Sequence, residues 1–129
     1  MELTGIRRNG VFALVVIAWL CVAIIAGVSL YTGMEWTPTV VAVAITLLPT
    51  LIARSSNIQS SGRILLGVTM PVYPAILLYQ TAGSNFQMDI HMMFFALLAT
   101  LAVMCDWRPI VAGTAVIAVH HLGTNFLIP

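Results

Sequence analysis

Five long apolar runs divide the chain and leave little choice of fold. They cover residues 11–31, 38–53, 64–82, 89–105 and 109–127. A membrane-spanning helix needs about 17–25 mainly apolar residues, so each run is close to the length of one span. The sequence therefore predicts an all-α, polytopic integral membrane bundle with five transmembrane helices, in which residues 1–129 form a single transmembrane domain.

Composition excludes a soluble domain and a nucleic-acid-binding protein. Hydrophobic residues make up 60% of the 129 positions and charged residues 7%, which is too little polar side chain to cover a soluble surface. The net charge is +1 and no basic cluster is present, so nucleic acid is not an expected partner. The first run exceeds the about 7–15 residues of a signal-peptide core, and we expect it to remain as an anchor. Membrane lipid is the first predicted partner.

Prolines predict where the helices bend. Pro71 and Pro74 remove two backbone donors within one turn of the third span, which predicts a kink there. Pro49 is expected to bend the end of the second span, and Pro109 is well placed in the first turn of the fifth.

All the arginines fall on one side of the predicted bundle. With five alternating spans, this side receives Arg7, Arg8, Arg54, Arg63 and Arg108. The opposite loops hold Glu35 and Asp89 and nothing basic. Because positive charge marks the cytoplasmic side, we expect a bacterial inner-membrane protein with a cytoplasmic N-terminus and with Pro129 outside.

All three histidines lie in the last two spans. Ionisable side chains are costly inside a membrane and by default indicate a functional site. At 1.5 Å per residue, His91 lies about 24 Å from the turn at Trp107, and His120 and His121 lie about 18–20 Å from it on the returning helix. These matching depths predict that the histidines converge in the outer half of the bilayer. Successive helical residues point about 100° apart, so the sequence leaves open which of His120 and His121 is the ligand.

The same region supplies further candidate ligands. Imidazole binds zinc, copper, iron and nickel, and an added thioether shifts the preference toward cuprous copper. The predicted metal ligands are His91, His120, His121, Asp89, Met88 and Met92. Asn125 shares a helical face with His121 and, like Asp89, is a predicted partner that would orient a ligating ring. The simpler alternatives are that Asp89 is the N-cap of its helix and that the methionines are apolar lining.

Copper is the predicted cofactor, and haem b is the main alternative. Two facing helices can hold haem through axial histidines. Haem needs a wide slot, however, and only Gly113 and Gly123 offer room beside the histidines. Zinc and a metal-free histidine proton sensor also stay open. The competing class is a small structural accessory subunit of a larger membrane complex, in which the histidines only form hydrogen bonds.

No catalytic arrangement is visible in the sequence. It has no serine, histidine and acid set at one depth, no glycine-rich phosphate loop and no paired carboxylates. Cys21 and Cys105 fall at different depths and are expected to be free thiols. The sequence therefore predicts a protein that is not an enzyme.

Parts of the last two spans resemble a known family. They are the run 89–98, the segment 105–108, and His120 and His121 followed by residues 125–129. These are similar to the membrane-embedded N-terminal region of bacterial methyl-accepting chemotaxis proteins, a resemblance that extends over the whole chain but is specific only from about Asp89. It implies a sensory input module, which in such proteins is followed by another membrane helix and a cytoplasmic signalling coiled coil. Because this chain stops at Pro129, we expect either a piece of a longer receptor or a free-standing relative that works through a partner.

Small residues predict association between chains. Helices rich in alanine, glycine, serine and threonine allow close backbone approach. Five short helices also cannot easily enclose a polar site alone. We therefore expect a homo-oligomer or a larger membrane complex.

Overall fold

The computed structural model describes residues 3–54 and 59–127, and in these two segments the chain is helical with no strand. The elements are α1 (Leu3–Thr32), α2 (Thr37–Arg54), α3 (Ser60–Thr69), α4 (Val72–Gln80), α5 (Gln87–Thr100), a 3₁₀ turn (Leu101–Met104) and α6 (Trp107–Leu127). Taking α3 with α4 and α5 with the 3₁₀ turn, they give five helices long and apolar enough to cross a membrane. The predicted all-α architecture with five potential spans is confirmed.

All five potential spans begin earlier than the apolar pattern indicated. The first starts at Leu3 rather than near residue 11 and has 30 residues, about 45 Å of helix against a hydrocarbon thickness of about 30 Å. Arginine is a good helix former, so Arg7 and Arg8 continue the helix beyond its apolar part. Helix α5 begins at Gln87, which puts Asp89 in the first turn instead of at the N-cap. In the first turn, the negative charge of Asp89 still interacts favourably with the positive end of the helix dipole.

The third potential span is interrupted in its middle. Helix α3 ends at Thr69 and α4 begins at Val72, with Pro71 between them, where the sequence predicted a kink. Beside this break, the Thr46 hydroxyl donates to the Ala42 carbonyl at 2.7 Å and lies 2.6 Å from the Tyr73 hydroxyl. Since the threonine hydrogen is used on the carbonyl, Tyr73 donates to Thr46. This buried hydrogen bond ties α4 to α2.

Helix α1 is the centre of the bundle and packs against α2, α4 and the 3₁₀ turn. Its buried positions recur every three or four residues, as expected for one helix face in contact with neighbours. They are Gly10, Val11, Leu14, Val15, Ala18, Cys21, Val22, Ile25 and Ser29. The other faces of α1 remain exposed, as lipid-facing surfaces of a membrane helix would be.

Two glycines form the crossing between α3 and α6. A Cβ atom added to Gly67 would lie 2.6 Å from the Cα atom of Pro109, and one added to Gly113 would lie 2.8 Å from the Gly67 carbonyl oxygen. Only glycine lets the two backbones come this close, and such small-residue contacts are a main source of helix association in membranes. This crossing sets where α6 lies and how it is rotated.

The short turn before α6 is held by polar contacts, and the end of the bundle where it lies is called the arginine end below. The Arg63 guanidinium donates to the Asp106 carboxylate at 2.8 Å, and Asp106 also accepts from the backbone N–H of Arg108 at 3.1 Å. Burial alone would raise the pKa of the Asp106 carboxyl, but these hydrogen bonds outweigh it and hold that pKa below its ordinary value. Arg7 donates to the carbonyl of Cys105, whose φ of 48° lets the chain reverse.

Candidate metal site

His91 of α5 and His121 of α6 meet at the opposite end of the bundle, called the histidine end below. Their Nε2 atoms are 3.3 Å apart, and the ring planes are nearly perpendicular at 87° with a centroid separation of 5.1 Å. The matching depths of these residues predicted that they converge. Of the neighbouring residues His120 and His121, it is His121 that faces His91 with a ring nitrogen.

The ring orientation of His121 is fixed by its own helix. Its Nδ1 atom lies 2.8 Å from the carbonyl oxygen of Ile117, one turn earlier. A carbonyl can only accept, so Nδ1 carries the hydrogen and the Nε2 lone pair is directed toward His91. Backbone carbonyls commonly set the tautomer of ligating histidines in this way. Asn125 was expected to fill this role, but it is exposed, and no hydrogen bond joins it to a histidine in the part of the chain that the structure describes.

His120 occupies a different place in the same cluster. Its ring packs against Phe94 at a centroid distance of 5.4 Å and lies 5.7 Å from the ring of His121. Phe94 is 2% exposed, and its ring centroid lies 5.6 Å from that of His91 and 5.8 Å from that of His121. Its ring therefore packs against all three imidazoles. Sequence reasoning missed Phe94, although its position three residues after His91 puts both on one helix face.

The remaining predicted ligands surround the pair loosely. Met88 and His91 line a cavity of about 430 Å³ together with Ser84, Asn85 and Gln87. Met92 and Asp89 are exposed and are not among the residues that line this cavity. Among residues 3–54 and 59–127, no group of three or more His, Cys, Asp and Glu side chains is arranged to hold a metal ion. The structure thus brings together two imidazoles next to a cavity that holds one thioether.

The spacing of the two imidazoles distinguishes between the candidate ligands. Two nitrogens on a tetrahedral metal, with bonds of about 2.0–2.1 Å, lie about 3.3–3.4 Å apart. Axial histidines on opposite faces of a haem need about 4 Å between their nitrogens and room for the porphyrin between the rings. The observed 3.3 Å agrees with the first arrangement. Of the two glycines expected to offer room for haem, Gly113 is closed in by the Gly67 carbonyl and the side chains of Leu98 and Leu101, whereas a Cβ atom added at Gly123 meets nothing within 4 Å.

Helix α6, which carries two of the histidines, is the least covered of the potential spans. In its most apolar part only 6% of residues are buried within the chain, and His121 is exposed.

No protein-family model, curated protein or solved structure matches this chain. Function is therefore inferred from the residues themselves.

Proposed function

We propose that this protein is the membrane-embedded input domain of a chemoreceptor-like signal transducer and that it binds a transition metal, copper in preference to zinc. The observation that carries the proposal is the pair His91 and His121, whose Nε2 atoms stand 3.3 Å apart with one lone pair already directed between them. His91 would hold the metal through Nε2 in the tautomer that carries its hydrogen on Nδ1.

Copper is favoured by the third donor within reach. The Met88 thioether borders the cavity that His91 lines, and imidazole combined with thioether sulfur suits cuprous copper. The His120 ring packs on Phe94, and Asp89 and Met92 are not among the residues that line this cavity. Haem b remains the alternative cofactor, but a separation of 3.3 Å leaves no place for a porphyrin between the two rings.

A metal at this position would link the two helices most suited to transmit a signal. The ligands come from α5 and α6, and α6 is attached to the rest of the chain mainly through α3. If α6 can take two positions and the metal binds more tightly in one of them, metal binding would shift the helix toward that position. In the chemotaxis proteins that this region resembles, the chain continues from here toward a cytoplasmic coiled coil.

The exposed face of α6 supports assembly into an oligomer in the bacterial inner membrane. An imidazole that faces hydrocarbon is costly, and His121 is exposed within a single copy of the chain. A second copy covering α6 would remove this cost. It would also supply ligands that one chain lacks.

Metal analysis of the purified protein tests the proposal. We expect copper to copurify or to bind on titration, with no haem Soret band in the absorbance spectrum. A Soret band would favour haem b instead. Neither copper nor haem would favour the structural class, an accessory subunit of a larger membrane complex, because His121 can donate from Nδ1 to the Ile117 carbonyl and accept at Nε2 from His91 without a metal.

The proposed orientation is tested by cysteine labelling. Gln59 and Ser84 are exposed at the arginine end and the histidine end respectively. A single cysteine at position 59 should react with a membrane-impermeant maleimide only after the inner membrane is opened, and one at position 84 should react in intact spheroplasts. Cys21→Ser and Cys105→Ser provide the background, since Cys105 is exposed. The reverse labelling pattern would show that the N-terminus is outside.

A further inference from the structure

A second cavity at the histidine end is separate from the histidine pair. It has a volume of about 560 Å³ and lies where the end of α1, the end of α4 and the start of α5 meet. Its lining includes Gly27, Tyr31, Gln80, Phe86 and Ile90, and no lining residue carries a charge. The size is that of a small-molecule site, and an uncharged lining fits an uncharged occupant.

Gln80 places a buried polar group at this cavity. The side chain is 5% exposed, and its amide nitrogen donates to the Ile25 carbonyl at 3.2 Å and to the Ser29 hydroxyl at 2.8 Å. The Ile25 carbonyl only accepts, so it requires the nitrogen of the amide at this position and fixes the orientation of Gln80. The Ser29 hydroxyl also pairs with the Thr39 hydroxyl, 3.3 Å away, where either oxygen can donate.

The Gln80 carbonyl oxygen is consequently left without a hydrogen-bond partner among the described residues. A buried acceptor in this state costs free energy until a donor reaches it. The Gln80 amide nitrogen is used on Ile25 and Ser29, and the Ser29 hydroxyl is held between Gln80 and Thr39. Gln80 lines the cavity, so a donor bound in the cavity is the candidate partner for this oxygen.

We propose that this cavity binds an uncharged aromatic amphiphile through a hydroxyl that donates to the Gln80 carbonyl oxygen, and that a membrane hydroquinone is the natural ligand of this kind. The rings of Tyr31 and Phe86 line the cavity and offer aromatic surfaces to a flat ligand. A hydroquinone has the O–H donor that Gln80 needs. The oxidised quinone has only carbonyl acceptors, which would oppose the Gln80 oxygen, so the cavity distinguishes the reduced form from the oxidised one.

The test compares three matched probes on the wild-type chain in nanodiscs. They are a decyl benzohydroquinone kept reduced under anaerobic conditions, the corresponding quinone, and the dimethyl ether of the hydroquinone. We expect saturable binding of the hydroquinone about 10-fold tighter than that of either probe without a donor, the difference made by one hydrogen bond to a buried acceptor. Equal affinity for all three probes, or no saturable binding above that of empty nanodiscs, would overturn the proposal.

Variants locate the binding. Gly27 lines the cavity and a Cβ atom added there meets nothing within 4 Å, so Gly27→Leu should take up space in the cavity and abolish hydroquinone binding. Gly5→Leu, at a similarly open position on the same helix, is the matched control and should bind as wild type. Gln80→Met should bind hydroquinone and dimethyl ether equally. Unchanged discrimination in Gln80→Met, or full binding in Gly27→Leu, would show that the ligand lies elsewhere.

This proposal does not rest on the metal site. Removal of metal with a chelator should leave hydroquinone binding unchanged. His91→Ala should likewise retain it, since His91 is not among the residues that line this cavity.

Discussion

Gly67→Ala should separate α3 from α6 and lower the free energy of unfolding by about 3 kcal/mol. The added methyl carbon would stand 2.6 Å from the Cα atom of Pro109, and its neighbours there are backbone atoms. A flexible side chain can rotate away from such a contact, whereas a backbone can yield only if the helix moves. Helix α6 would lose its main attachment to the rest of the chain.

The effect is measured by denaturant unfolding in detergent, with Gly5→Ala as the control. Gly5 lies in α1 with open space around it, so alanine there should be neutral or slightly stabilising because alanine favours helix. Equal stability of the two variants would mean that α3 and α6 do not cross at the glycines. Gly67→Ala should also lower the affinity for any ligand bound between α5 and α6, since it displaces the helix that carries His121.

The five helices long and apolar enough to cross a membrane were predictable because they depend on quantities that a sequence contains directly. The length of an apolar run decides whether a helix can cross a membrane. Pro71 has no backbone N–H, so the position of the helix break could be read from the sequence. Helix pairing was not predictable in the same way. Gly67 and Gly113 carry no side chain that would show in a hydrophobic pattern, and their contact exists only once both helices are in place. The hydrogen bond between Arg63 and Asp106 was missed for the same reason, since 43 positions separate its two residues.

In the candidate site, too, one feature was predictable from the sequence and others were not. Depth along a helix follows from counting residues, so the approach of His91 to the pair at 120 and 121 was predictable. The direction in which each ring points depends on the rotation of α6, which the crossing at Gly113 determines. The hydrogen bond that orients His121 could not be predicted, because its acceptor is the backbone carbonyl of Ile117 and every residue has such a carbonyl.

His91→Ala and His121→Ala should each reduce copper affinity by more than about 100-fold, because groups that only support a ligand already contribute about 10-fold to 100-fold. Removing either imidazole leaves one nitrogen where two stood 3.3 Å apart. Both variants should still insert into the membrane, since loss of an imidazole makes the helix more apolar. Affinity is measured by competition with a cuprous chelator of known strength, on protein reconstituted in nanodiscs.

His120→Ala and Asn125→Ala are the controls that separate a ligand from a neighbour. The His120 ring packs on Phe94 rather than toward His91, and the orientation of His121 comes from the Ile117 carbonyl, so both variants should retain copper affinity within a few fold. Cys21→Ser and Cys105→Ser should behave in the same way, because neither thiol lies in the histidine cluster. If His121→Ala kept its copper while Cys105→Ser lost it, the metal would belong at the arginine end beside Asp106. The pairing of His91 with His121 would then be only a hydrogen bond between two helices.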